Sequence, residues 1–156
     1  MKFLFFSLSI LFIFFGCDLT DNSTDNSAPI HTTMENNGIE YTLDISQNNF
    51  LLYDTLLLLF KVKNNSSSTK EFSFFNVQQL SYQVIDQNNN IASYYPSIVS
   101  PALSHFSLEP GEIKVLNQIG IFKDNNGNFI KRGKYSLIVF LLDNNSPRLK
   151  LNISVN

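Results

Sequence analysis

A two-residue rhythm, beginning at Ile39 and recurring to the C-terminus, constrains this chain more than any other feature. Ile39, Tyr41, Leu43 and Ile45 alternate with Glu40, Thr42 and Asp44. Leu149, Leu151, Ile153 and Val155 alternate with Lys150, Asn152 and Ser154, and Tyr135, Leu137, Val139 and Leu141 form another apolar row. Successive side chains of a strand point to opposite faces, so each row lays one apolar face on a core. No window from Asn37 onward sustains the 3.6-residue period of a helix. Leu56, Leu58, Phe60 and Val62 make a fourth row, but their alternates are Leu57, Leu59, Lys61 and Lys63. The two lysines mark that second set as outward, which leaves Leu57 and Leu59 needing cover. Shorter strands are predicted over 71–76, 80–86, 91–95 and 112–118.

Turn chemistry separates these segments at 64–68, 86–90, 109–111, 124–127 and 143–147, where Asn, Asp, Ser, Gly and Pro cluster. Such residues tolerate left-handed backbone or bond their own main chain. Pro110-Gly111 fits the central positions of a type II turn. About eight strands at this spacing predict an all-β, antiparallel sandwich spanning residues 37–156. Two packed sheets are favoured over one open sheet because burying a large aliphatic side chain stabilises by roughly 1.5–3 kcal/mol.

Residues 3–15 run Phe-Leu-Phe-Phe-Ser-Leu-Ser-Ile-Leu-Phe-Ile-Phe-Phe after Lys2, without a charge. A spanning helix needs roughly 20 apolar residues, so this shorter run predicts a signal peptide over 1–16. Gly16-Cys17 closes the run and Asp18 turns the chain polar. That arrangement resembles the lipobox of bacterial lipoprotein signal peptides. The resemblance implies that the Cys17 thiol is lipidated and begins the mature chain. It also implies an extracytoplasmic place in the cell envelope, with the lipid on Cys17 holding the protein to a bacterial membrane. Cys17 is the only cysteine, which excludes an intrachain disulfide and a cysteine-based zinc site. The rest of 17–36 is rich in Ser, Thr, Asn and Asp and predicts a disordered tether. Its acids, Asp18, Asp21, Asp25 and Glu35, account for the net charge of −2. The folded part is therefore near neutral, with no nucleic-acid footprint.

No catalytic constellation is legible: there is no Gly-x-Ser-x-Gly elbow, phosphate loop or His-Glu-x-x-His. Catalytic residues, metal ligands and cofactors are therefore expected to be none, and an enzyme is not expected. His31 lies in the tether and His105 in Leu103-Ser104-His105-Phe106. Asp124, Asn126 and Asn128 offer oxygens spaced like half of a calcium loop, but the later bidentate acid is missing, so a hairpin turn competes with that reading. The apolar, uncharged stretch 94–103 is bracketed by Pro96 and Pro101. It reads either as a strand crossing over one end of the sandwich or as a contact loop for a protein partner. In the second case Tyr94, Tyr95, Ile98, Val99 and Leu103 are the partner-binding residues. Tyr94 and Tyr95 should face opposite ways, one to the core and one outward.

From Leu56 to about Leu142 the order of features resembles the BsuPI family, the intracellular proteinase inhibitor type. The residues that carry it are Val62-Lys63-Asn64, Phe72-Ser73-Phe74, Gln79-Leu80-Ser81-Tyr82-Gln83-Val84-Ile85-Asp86 and Ile91-Ala92-Ser93-Tyr94, then Leu108-Glu109-Pro110-Gly111-Glu112 and Gly133-Lys134-Tyr135. The resemblance implies an immunoglobulin-like β-sandwich that binds a proteinase. The alternative is a structural or assembly module of the envelope without inhibitory activity.

Overall fold

The computed structural model describes residues 30–143 and 145–156. The expected signal peptide, Cys17 and the tether up to Pro29 lie outside the described residues. Strands account for all the regular structure of the described residues: β1 (Ile30–Asn36), β2 (Ile39–Ile45), β3 (Asn49–Phe50), β4 (Thr55–Asn64), β5 (Lys70–Asn76), β6 (Leu80–Ile85), β7 (Ile91–Tyr95), β8 (Pro101–Leu108), β9 (Ile113–Ile121), β10 (Gly133–Leu141) and β11 (Leu149–Val155). They form an immunoglobulin-like β-sandwich. One sheet has the order β1-β2-β4-β9, the other β3-β11-β10-β6-β7, and β5 pairs with β8 as a two-stranded ribbon. Every pairing is antiparallel except the two-residue contact of β3 with β11.

The apolar rows meet between the sheets. Leu43, Phe60, Val62, Leu137, Val139 and Val155 are fully buried. Tyr135 is buried at the start of β10 and its hydroxyl donates to the Lys131 carbonyl. This is a tyrosine-corner arrangement, with Gly133-Lys134-Tyr135 opening the strand. Pro110-Gly111 also turns as expected: Gly111 has a positive φ of 82°, and the Glu112 N–H donates to the Glu109 carbonyl at 2.9 Å.

Several expectations need correction. The tether ends earlier than residue 36, because residues 30–36 form β1 and pair along β2 from Ile30↔Ile45 to Asn36↔Ile39. Its side chains bury little, so it is held mainly through backbone pairing, which polar residues supply as well as apolar ones. The turn behind it is Asn37-Gly38, with φ of 52° and 75°. Two consecutive positive φ values match the type I′ hairpin that Asn-Gly favours. The folded unit therefore begins by Ile30. The strand count exceeds eight because β1, β3 and β8 were not separated from loop and tether. Leu57 receives no cover either: it remains 51% exposed on the outer face of β4.

Only three residues separate β5 from β6, and five separate β7 from β8. Since β6 pairs with β7 and β5 with β8, the four strands are one long hairpin that bends in the middle. Its far half belongs to the five-stranded sheet and its near half is the separate ribbon. Bends and bulges are how strands pass between packed sheets. A bulge marks this one: Phe74 pairs with Ser104 and Asn76 with Pro101, so Phe75 alone opposes Ala102 and Leu103.

Candidate protein-binding surface

The corner of this hairpin is residues 75–79 on one arm and 96–103 on the other. Stretch 94–103 thus resolves into the end of β7, a bend, and the start of β8. The strand-crossing reading describes its path, and its exposure keeps the contact reading open. Ile98 is 80% exposed, Leu103 83% and Val99 49%. The opposite arm adds Phe75 at 74% and Val77 at 59%. No charged residue interrupts either arm of the corner.

The backbone beneath these side chains is fastened by polar groups. The Val77 N–H donates to the Ser100 carbonyl, and the Ser100 N–H donates to Gln78 Oε1, both at 3.3 Å. Ser104 Oγ donates to the Asn76 carbonyl at 2.7 Å and accepts from Gln79 Nε2 at 3.3 Å. Ser81 Oγ donates to the Tyr95 carbonyl at 2.7 Å. Polar atoms thus fix the bend while the apolar ones face out. A contact surface held in one conformation loses less ordering entropy on binding.

The two tyrosines divide as their adjacency demands. Tyr94 is 41% exposed. Tyr95 packs against the core and its ring stacks on Tyr82 with centroids 5.8 Å apart. Tyr82 in turn presses on β9 at Gly120, where a Cβ would lie 2.5 Å from the Tyr82 hydroxyl oxygen. Burial, then the neighbouring Tyr95, pushes the Tyr82 hydroxyl pKa up. Tyr95 therefore seats the corner, while Tyr94 and Tyr95 both line a groove of about 490 Å³ between β7 and β9. The structure brings Ile98, Val99 and Leu103 together with Phe75 and Val77, and places the tyrosines behind them. Phe75 was missed although its signal is plain. Phe72 and Phe74 point inward, so the residue after Phe74 must point out.

The other polar candidates have local partners. Asp124 Oδ1 accepts the N–H groups of Asn126 and Asn128, both at 2.9 Å. Those bonds cap a turn inside the β9–β10 connection. Asp86 does the same for the β6–β7 turn: backbone and side-chain bonds from Asn90, then a backbone bond from Asn88, hold its carboxyl below the usual range. His105 lies exposed on β8. Among the described residues no group of three or more His, Cys, Asp or Glu side chains converges, and no helix is long and apolar enough to cross a membrane.

No protein-family model matches the chain, and no curated protein matches it in sequence. Among solved structures, the alkylpurine DNA glycosylase AlkC of Pseudomonas fluorescens is similar at a TM-score of 0.51 and 13% identity, over 76% of this chain and 30% of that one. A β-glucosidase of Erythrobacter marinus gives a TM-score of 0.44 at 14% identity, over 82% of this chain and 16% of that one. The CARDB domain of a Pyrococcus furiosus protein gives 0.38 at 16% identity, over 82% of this chain and 89% of that one. The chain thus spans under a third of the glycosylase. At such identities the first likeness speaks for the fold alone; the other two, below 0.5, carry no argument.

Proposed function

We propose that this chain is a lipid-anchored protein-binding module of the cell envelope, attached through Cys17 and engaging its partner through the apolar hairpin corner. The observation that carries the reading is the corner itself: Phe75, Val77, Ile98, Val99 and Leu103 are exposed on a bend without charges and fastened by hydrogen bonds. Interface energy concentrates in a few large side chains at the centre of a contact, and this corner presents several together. The BsuPI resemblance names a proteinase as the partner class.

The test is titration. The soluble chain from Ile30 onward should inhibit an envelope proteinase stoichiometrically, and the Ile98→Asp, Leu103→Asp double variant should not. Full proteolytic activity at excess of the unsubstituted chain, together with its failure to retain any envelope protein, would remove the reading. The anchor is tested apart: Cys17→Ala should abolish incorporation of labelled fatty acid. A second reading, an assembly module without inhibitory activity, is favoured by the exposed apolar side chains on the outer face of the β1-β2-β4-β9 sheet, Leu57, Ile119 and Ile121 among them.

A further inference from the structure

We propose that β9 is a self-pairing edge: a second copy of this chain sets its own β9 antiparallel beside it, about a twofold axis at Asn117, and joins two four-stranded sheets into one. The inference does not rest on the corner's partner, although Asn117 and Gln118 share a small cavity with Val77, Gln78 and Gln79 of the corner.

The sheet β1-β2-β4-β9 ends in two unlike edges. β1 presents His31, Thr33 and Glu35 among its exposed side chains, polar groups that discourage pairing with another chain. β9 is nine residues long, contains no proline and carries one charge, Lys114. Its outward residues Ile113, Val115, Ile119 and Ile121 are all about half exposed or more. Natural edge strands of this length are usually blunted by charge, proline or a bulge, and β9 uses none of the last two.

The backbone is turned the right way. The Asn64 N–H donates to the Glu112 carbonyl, and β4 runs in register with β9 from Lys63↔Ile113. Even-numbered residues of β9 therefore turn their peptide groups to β4, and odd-numbered ones turn theirs to the open edge. Among the described residues, no backbone group outside β4 bonds to Val115, Asn117 or Ile119, while the Ile121 carbonyl takes the Lys123 N–H at 2.8 Å and marks the end of the open edge. The Ile119 carbonyl instead takes the side-chain amide of Gln118 at 2.8 Å.

Sequence selects the occupant. With Asn117 opposite its own copy, Val115 falls opposite Ile119, Ile113 opposite Ile121, and Lys114 opposite Gly120. Every outward pair is then apolar with apolar, except the central pair of amides, which can bond each other. No like charges meet. A slip of two residues sets Asn117 against Val115 or Ile119 and leaves the amide facing aliphatic carbon, so the axial asparagine fixes the register.

The test uses the full chain in detergent with Cys17→Ala, so that an introduced thiol is the only one. Two facing residues of a bonded antiparallel pair have Cα atoms about 5.5 Å apart, within disulfide reach. Oxidised Asn117→Cys should run as a reducible dimer, and Ser107→Cys, exposed on β8, should not. A mixture of single Val115→Cys and Ile119→Cys chains should cross-link to each other more than either does to itself, which protects the result against misfolding of one variant. In sedimentation, Ile119→Lys should weaken the unsubstituted chain's dimer by about tenfold or more. Monomers at all concentrations, or Asn117→Cys cross-linking no better than Ser107→Cys, would overturn the proposal. So would Asn117→Cys cross-linking in cells to a different protein, which would make β9 the seat of a foreign strand.

Discussion

Two places where the chain changes direction solve opposite problems. At the end of β4, Asn64 is a polar residue with no exposed surface. Its Nδ2 donates to the carbonyls of Ser68 and Leu108, both at 2.8 Å, and its Oδ1 accepts from the Ser66 N–H at 2.9 Å and the Ser66 hydroxyl at 2.7 Å. Its carbonyl also accepts the Gly111 N–H at 2.7 Å. The side chain thus ties the following loop and the end of β8 to the end of β4, and the main chain of the same residue adds the Pro110-Gly111 turn. At the hairpin corner the order is reversed: polar groups hold the backbone and large apolar side chains stand in water. A buried amide is tolerated because every bond is made. An exposed apolar cluster gives folding nothing, so it is free to be used for contact.

The contrast predicts the largest loss of stability at Asn64. Asn64→Leu removes both donors and leaves the Leu108 carbonyl buried without a partner. Each such group costs about 1–3 kcal/mol, so the total should be about 3 kcal/mol, read as a fall in the denaturant midpoint at unchanged slope. A loss below about 1 kcal/mol would mean that water replaces the amide and that the two ends are not different in kind.

Gly120 tests whether the corner's seat can be disturbed separately. A methyl group there meets Tyr82, which stacks on Tyr95. Gly120→Ala should cost about 1–3 kcal/mol by overpacking. Gly120→Ala with Tyr82→Phe should recover part of that loss, because the nearest atom is the Tyr82 hydroxyl oxygen. No recovery would place the strain in the β9 backbone instead.

Alkaline pH loads both ends at once. Burial, then the charge of Asp143, pushes the Tyr41 hydroxyl up to about 12 from 10.0, and burial also raises Tyr82 and Tyr135. Tyr41 sits opposite Val62, near the Asn64 end; Tyr82 lies under the corner. A folded-state pKa above the unfolded one favours the protonated native form. The stability from these neutral tyrosines is fully present below pH 10 and is lost as pH rises through their raised folded-state values, about 12 for Tyr41. Tyr41→Phe should flatten that loss, as measured by Tm across the same window.

Much of this was legible in sequence, and the limits have physical causes. The rows at 39–45, 56–62, 135–141 and 149–155 gave the core because two-residue alternation is a local property. Tyr135 and Pro110-Gly111 were readable for the same reason: their partners lie within a few residues. β1 was missed because its side chains bury little, although Asn37-Gly38 announced the hairpin. Asn64 read as one more polar turn residue. Its role depends on Leu108, far along the chain, arriving beside it, and no local pattern encodes that meeting. Gly120 went unread between Ile119 and Ile121, and only the packing of the sheets shows that Tyr82 lies against it. Of the residues expected to bind a partner, Ile98, Val99 and Leu103 lie on the corner, and Tyr95 belongs beneath it.

The smallest effect on stability is expected at the corner, and there the comparison is most easily broken. Phe75, Ile98 and Leu103 are at least 74% exposed, so the native fold gains little from them. Substituting each by Ser should change stability by no more than about 0.5 kcal/mol, the range of ordinary surface changes. A residue that folding does not use can still dominate an interface, where truncating an anchor costs about 2 kcal/mol or more. The triple variant should therefore melt as the parent does and lose envelope partners or proteinase inhibition, while Asn64→Leu should lose stability and, where still folded, keep binding. If the triple variant loses several kcal/mol of stability, the corner packs on something the described strands do not show. If it melts and binds like the parent, the exposed cluster is not the contact surface, and the β9 edge becomes the stronger place to look.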